Sequence, residues 1–227
     1  MRGSPGVGMM VPMSADPTRH WDSVYSTKKA EETSWHQPRP ETSLRLLADA
    51  VTTAGAAGPG AVVDVGAGTS TLVDALLDAG WSPVTVLDVS EAALAQTRAR
   101  LAERADGAWE EQVRLVVADI TEWDPAADGF DAWHDRAVFH FLTGAAQQAR
   151  YVATAARAVR PGGVLVLGTF GPDGPEQCSG LPVARHDVDS VRTLFEPGFE
   201  VLAGETETHR TPWGAEQQFT WTSLRRR

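Results

Sequence analysis

Cysteine is almost missing from this chain. Cys178 is the only one in 227 residues, so no disulfide can form within it, and a reducing compartment is the natural setting. Positive charge is also scarce: 20 Lys and Arg stand against 30 Asp and Glu, a formal net charge of −10. That balance argues against nucleic acid as a partner, because phosphate binding needs a concentrated basic face. The one basic run, Arg225-Arg226-Arg227, reads as a solvated tail. No apolar run is long enough to span a membrane, and the start has no signal-peptide architecture, so a cytoplasmic protein without a membrane partner is expected. Internal repeats and a second domain are absent as well, and no metal site is expected. What remains is an ordinary globular composition, 42% hydrophobic and 22% charged, long enough for one domain with a real core.

Residues 1–17 are mostly glycine, proline, serine and methionine. They read as a disordered leader, or as the product of an upstream start with the true one near Met10 or Met13. The domain is expected over residues 18–227. Trp21, Val24 and Tyr25 fall at i, i+3 and i+4, one face of a short helix, and Leu44, Leu47, Ala48 and Val51 line a second. Residues 18–39 carry aromatics but stand outside the later strand–helix alternation, which suggests a lid.

From residue 61 the pattern alternates. Strands are expected at 61–65, 84–88, 113–118, 130–134 and 163–170, and helices at 70–79, 90–105, 137–141 with 145–160, and 187–195. Such alternation implies a parallel sheet with helices on both faces. The ending differs: Phe199 to Thr211, a Pro212-Trp213-Gly214 turn, and Ala215 to Leu224 read as two consecutive strands. The fold class expected is α/β, Rossmann-like, with a seven-stranded, mostly parallel sheet and a C-terminal antiparallel hairpin. The Gly- and Pro-rich stretch 171–182 is too long for a tight turn and reads as a functional loop.

The organising stretch is Ala61-Val62-Val63-Asp64-Val65-Gly66-Ala67-Gly68-Thr69-Ser70, a strand running into a glycine turn and then a helix. Gly66 and Gly68 allow a ligand to approach the backbone closely. Thr71 stands where the third glycine of the dinucleotide fingerprint would fall, and Asp64, two positions before the first glycine, is an unfriendly neighbour for phosphate. Asp64 suits a cationic ligand with an amino group. Asp88 ends the next strand and is placed to hold ribose hydroxyls. Asp119 follows the third strand, where it can accept an adenine amino proton while Val89 and Ile120 sandwich the ring. The run D-V-G-A-G-T-S with Asp88 beyond it resembles the cofactor motifs of class I S-adenosylmethionine-dependent methyltransferases. That resemblance implies S-adenosyl-L-methionine as cofactor, and a five-strand parallel run closed by an inserted antiparallel strand.

After the fourth strand comes Trp133-His134-Asp135-Arg136-Ala137. W-x-D-R-A is similar to the W-D-R-G-A stretch of thiopurine S-methyltransferases, whose Trp- and Lys-rich N-terminal lid ends in F-H-Q. This chain has Trp21, Lys28, Lys29 and then Trp35-His36-Gln37. His134 is inserted relative to that pattern, and the loop P-D-G-P-E-Q-C-S-G is not the family's own. The resemblance implies transfer of a methyl group to a small-molecule nucleophile, with sulfur acceptors favoured. Arg136 would stabilise a thiolate; for an alcohol or amine, His134 or His140 could take the proton. Asp135 completes the catalytic candidates, unless it simply pairs with Arg136. Trp35 and His134 join the cofactor-binding candidates Asp64, Gly66, Ala67, Gly68, Asp88, Val89, Asp119 and Ile120. Trp21, Trp35 and Trp133 are expected near the mouth, where aromatic faces could enclose a sulfonium. Two other readings remain open: a protein lysine N-methyltransferase drawn to basic substrates by its acidic surface, and a cofactor-binding regulatory subunit without activity.

Overall fold

The computed structural model describes residues 17–104 and 109–227. The leader expected over residues 1–17 lies outside them except for Pro17, which opens helix α1 (Pro17–Thr27). A 3-10 turn (Ala30–Glu32) leads to α2 (Glu41–Thr53). Strand β1 (Val62–Val65), helix α3 (Leu72–Asp78), strand β2 (Val84–Asp88) and helix α4 (Glu91–Ala102) follow. Next come the short α5 (Trp109–Gln112), β3 (Val113–Val117), β4 (Phe130–Arg136) and a 3-10 turn (Phe139–Phe141). Helix α6 (Ala145–Ala158) runs straight into β5 (Val159–Phe170). A two-residue ladder of β6 (Gln177–Cys178) with β7 (Leu181–Pro182) structures the loop, and α7 (Val188–Phe195), β8 (Phe199–Arg210) and β9 (Glu216–Arg226) close the chain.

The main sheet has seven strands in the order β3-β2-β1-β4-β5-β9-β8. The four pairings that join the five strands from β3 to β5 are parallel, and β9 inserts antiparallel between β5 and β8. The chain reverses direction on either side of β1, from β2 and β3 to β4 and β5. That switch point opens the crevice beyond the strand ends where ligands of such sheets bind. β1 and β2 are buried at every position, as expected for strands covered on both faces.

Alternation along the strands sorts side chains between two cores. Val62, Val84, Val86, Ala132, Val164 and Val166 pack with α2, α3 and α4. Val63, Val65, Leu87, Trp133, Leu165 and Leu167 pack with α6 and α7. The same parity sends Asp64, His134 and Arg136 toward the first face and Trp133 and Asp135 toward the second.

Three local expectations change. β5 begins at Val159, earlier than expected, because Val159 pairs with Phe130 before a bulge lets the register resume at Ala132 and Val164. The expected short helix over 137–141 is a 3-10 turn. The terminal arginines are no loose tail: Arg225 and Arg226 belong to the β9 ladder. Arg226 also donates from Nε to Ala156 O at 2.6 Å and from Nη1 to Gly198 O at 3.0 Å. Carbonyls left over at the end of α6 and before β8 give it partners that no sequence pattern displays.

Helix α1 docks on α4. The Ser90 hydroxyl caps α4 by accepting from Ala93 N at 3.2 Å and donates to Asp22 Oδ1 at 2.6 Å; Gln96 donates to Tyr25 O at 2.7 Å. Farther along the same segment, His209 Nε2 donates to Ser34 O at 2.8 Å. The segment over 18–39 therefore lies across the strand ends, held by α4 on one side and β8 on the other.

Candidate active site

The glycine loop after β1 is shaped by two residues in the left-handed region, Gly66 (φ +63°) and Gly68 (φ +54°). A Cβ at Gly66 would collide with Val138, and one at Gly68 with the Tyr25 hydroxyl. Glycine is thus required both for the turn and for the approach of its neighbours. The loop is tied to β2: Gly68 N donates to Asp88 Oδ2 at 2.7 Å, and Ser90 N to Asp88 Oδ1 at 2.8 Å. Burial raises the Asp88 carboxyl to about 6, against the opposing pull of these N–H donors.

A cavity of about 500 Å³ opens over the strand ends, within the usual range for small-molecule sites. At one end stand Asp88, Val89, Ala118, Asp119 and Ile120. Asp119 Oδ1 accepts from Thr121 N and Oγ1, each at 2.7 Å, which holds the carboxylate in place. At the other end stand Phe141, Phe170, Phe219, Cys178 and Leu181, with Trp21, Tyr25 and Trp35 above. A second, smaller cavity of about 50 Å³ lies on the α2 side of the loop, lined among others by Ser43, Asp64, Ala67, Thr69 and His134. Trp35, Gly66 and Arg136 line both.

Arg136 is the charged centre of this arrangement. Nη1 donates to Trp35 O at 2.8 Å, and the guanidinium lies 5.0 Å from the centroid of Phe219. Nε and Nη2, the side-on edge of the fork, are shielded from solvent and have no partner among the described residues. Burial pulls its pKa down to about 10, so it remains a cation at neutral pH.

The other candidates after β4 fall elsewhere. Asp135 lines neither cavity and does not pair with Arg136, because consecutive strand residues point to opposite faces. It caps the following turn, accepting from Val138 N at 2.9 Å and Phe139 N at 3.1 Å, and from the Tyr151 hydroxyl at 2.6 Å. Trp133 is not at the mouth either: it is fully buried, with Nε1 donating to Tyr151 Oη at 2.9 Å. Burial pushes the Asp135 carboxyl up to about 6 and the Tyr151 phenol well above its ordinary value. Tyr151→Phe should remove a donor from Asp135 and an acceptor from Trp133, and lower stability by about 1–3 kcal/mol. Urea unfolding checks this, and a change below about 0.5 kcal/mol would mean the three groups find other partners.

His140 also lines neither cavity. It is wholly buried between Phe141 and Phe170, with Nδ1 accepting from Phe170 N at 3.3 Å. Burial, then the charges of His186 and Arg136, drive its pKa to about 3, so it is a poor base for an acceptor. His134 is held between Asp64 and Ser43 and faces the smaller cavity. Cys178 lies in the wall of the larger one, its thiol pushed up to about 11 by burial, a poor nucleophile at neutral pH.

The geometry suits a nucleoside bearing an amino-acid head. Asp64 Oδ2 is buried without a partner among the described residues, and Gly66, where a Cβ would strike Val138, lines both cavities, whereas Gly68 lines neither. Asp88 and Asp119 line the larger cavity together, at the ends of neighbouring strands. Sequence reasoning missed Ser43, Phe170 and Phe219, which no motif marks. Tyr25 was visible only as part of the α1 aromatic stripe.

Residues 62–163 match the family model described as a methyltransferase domain. Solved structures share the fold at low identity. The protein studied for conversion of a disulfide bond into a thioacetal group during echinomycin biosynthesis is 23% identical, with a TM-score of 0.68 and 92% of each chain covered. The 1,6-didemethyltoxoflavin-N1-methyltransferase of Burkholderia thailandensis, solved with 1,6-didemethyltoxoflavin and S-adenosylhomocysteine bound, is 21% identical at a TM-score of 0.64, covering 92% of this chain and 83% of its own. The N-methyltransferase NodS of Bradyrhizobium japonicum WM9, in complex with S-adenosyl-L-homocysteine, is 15% identical at 0.66, covering 91% and 98%. No curated protein is matched by the sequence. Sheet order, glycine loop and the matched residues 62–163 agree: residues 62–163 form a methyltransferase domain, and the described chain has the fold of class I S-adenosyl-L-methionine-dependent methyltransferases.

Proposed function

We propose that this enzyme methylates a small-molecule nucleophile, with a thiol or related sulfur group as the favoured acceptor. The observation that carries this reading is the wall of the acceptor end. Phe141, Phe170 and Phe219 line the cavity with Arg136, the one Lys or Arg in its wall, whose guanidinium faces Phe219 and whose Nε and Nη2 have no partner among the described residues. An apolar chamber with one buried guanidinium favours an anionic sulfur and repels a cationic lysine amine. Cofactor and acceptor would share about 500 Å³, which suits a small acceptor better than a protein segment. The two stretches that resemble thiopurine S-methyltransferases also meet here, since Arg136 of the D-R-A run donates to the carbonyl of Trp35 in the W-H-Q run.

The cofactor supplies an electrophilic sulfonium methyl; the chain supplies position and charge. Asp88 would hold the ribose hydroxyls, Asp119 the adenine amino group, and Val89 and Ile120 the ring faces. Gly66, Ala67 and Gly68 let the cofactor pass close to the loop, and Trp35 covers it. Arg136 would favour the ionised acceptor, so no side chain need act as a base for a thiol. His134 and His140, the sequence candidates for that task, are committed elsewhere.

Single-turnover transfer of labelled methyl to a panel of thiols, phenols, amines and basic protein tests the reading. Thiol labelling that rises with the thiol's own ionisation supports it. Labelling of basic protein with none of thiols at any pH would replace it with the lysine reading.

The 18–39 segment is proposed as a cover that tightens over bound cofactor. Its anchor, Ser90, also donates its N–H to Asp88, so ribose contacts at Asp88 and lid contacts at Asp22 share one residue. Backbone hydrogen exchange over 18–39 should slow several-fold when S-adenosylhomocysteine is added. Equal exchange with and without the ligand would reduce the segment to ordinary packing.

A further inference from the structure

His134 is the residue by which this chain departs from the W-D-R pattern it otherwise resembles, and the reaction as described makes no use of it. Its surroundings are specific. The ring is 2% exposed, with Nδ1 2.7 Å from Asp64 Oδ1 and Nε2 2.9 Å from Ser43 Oγ; Ser43 and Asp64 are 1% and 3% exposed. Next to a carboxylate, Nδ1 is the donor. Nε2, on the other side of the ring, is within hydrogen-bond distance of the Ser43 hydroxyl, so the serine fixes the ring's orientation. Ser–His–Asp in this order can serve acyl transfer, but the adjoining cavity of about 50 Å³ has no room for an acyl donor.

The far side of Asp64 is the informative part. Oδ1 is taken by His134, whereas Oδ2 is buried and has no partner among the described residues. A carboxylate so enclosed keeps an open oxygen at a cost unless a donor arrives. The small cavity beside it meets the large one at Gly66, Trp35 and Arg136. It has the size of an amino-acid head, and the ammonium of such a head is a donor of the right charge.

We infer that His134 is a positioning residue: held by Ser43, it orients Asp64 so that Oδ2 receives the ammonium of the cofactor's amino-acid head. The ring acts through Asp64 and touches neither the methyl nor the acceptor. The role rests on the cofactor occupying this cavity and is independent of which acceptor is methylated. Binding measured without any acceptor therefore separates its failure from failure of the sulfur reading.

Two ligands isolate the effect: S-adenosylhomocysteine, which carries the head, and 5′-methylthioadenosine, which lacks it. In calorimetry on the full chain, His134→Ala should weaken the first about tenfold and the second less than twofold. His134→Asn, whose side-chain N–H can replace the Nδ1 donor, should recover most of the loss. Equal weakening of both ligands, no weakening of either, or failure of asparagine to recover the first would overturn the role. The wild-type protein gives a reading that needs no variant to fold. The downfield Nδ1 proton of His134 should shift when S-adenosylhomocysteine is added and stay in place with 5′-methylthioadenosine. A resonance that moves equally with both, or with neither, would overturn the inference.

Discussion

Asp88→Ala should weaken S-adenosylhomocysteine binding tenfold or more while the protein still folds. The side chain accepts from the N–H groups of Gly68 and Ser90, and it lines the cavity in which the ribose is proposed to lie. Losing charge-assisted hydrogen bonds to two hydroxyls removes about 1.5–3 kcal/mol or more. The pH dependence adds a second signature. Hydroxyl donors favour the carboxylate over the acid. Burial places the carboxyl at about 6 in the free protein, so at pH 5 only about a tenth of the molecules carry it ionised. Affinity should therefore rise as pH increases from 5 to 7, by up to about tenfold, and then level off. In Asp88→Asn that rise should disappear. Calorimetry from pH 5 to 8 on wild type and variant checks both statements; unchanged affinity in the alanine variant would remove Asp88 from the site.

Stability moves the other way over the same interval. Asp88 and Asp135 both have folded-state values of about 6, above the ordinary carboxylate value. Between about pH 4 and 6 the folded protein holds more protons than the unfolded chain, so these two groups lower stability as pH rises through that window. The opposite sign of the binding effect makes the two separable.

Arg136→Ala should slow single-turnover methyl transfer to a simple thiol by about tenfold or more at pH 7. The acceptor's charge is present before transfer and vanishes as the sulfur is methylated, so the guanidinium acts chiefly by raising the thiolate fraction. An ordinary thiol ionises near about 8.5. The deficit of the alanine variant should accordingly shrink as pH climbs past that value, leaving only the part due to orientation. Arg136→Lys keeps the charge but loses the fork, and should retain part of the rate. Affinity for S-adenosylhomocysteine should barely change in either variant. If it falls in Arg136→Ala, the open Nε–Nη2 edge belongs to the cofactor's carboxylate rather than to the acceptor. A lysine acceptor predicts a further pattern, in which removing the positive charge does not slow transfer.

Much of the scaffold was legible because it depends on local chemistry. The β-branched run Val62–Val65, the glycines at 66 and 68 and the apolar stripe of α3 state a strand, a turn and a helix without help from the rest of the chain. Acidic residues at strand ends can be placed in the same way, since the ends of parallel strands gather at one edge of the sheet. Asp88, Val89, Asp119 and Ile120 accordingly stand together in one cavity. The hairpin formed by β8 and β9 was visible from two long strand patterns around Pro212-Trp213-Gly214.

The W-H-D-R stretch shows where such reading stops. Its spacing establishes alternation but not which face each residue meets, because parity becomes meaning only after helices pack. Trp133 and Asp135 went to α6 and found Tyr151; His134 and Arg136 went to the α2 side and found Ser43, Asp64, Trp35 and Phe219. Partners such as Ser43 and Phe219 lie 91 and 83 residues from His134 and Arg136 in sequence, beyond any periodicity. The sequence alone determined the order of strands, glycine turn and helices and the acidic residues at the strand ends, since those follow from local hydrophobic period and turn geometry. Only the tertiary structure decided which of four consecutive polar and aromatic residues face the cavities and which are spent on the core. Burial and hydrogen-bond partners are properties of the packed chain.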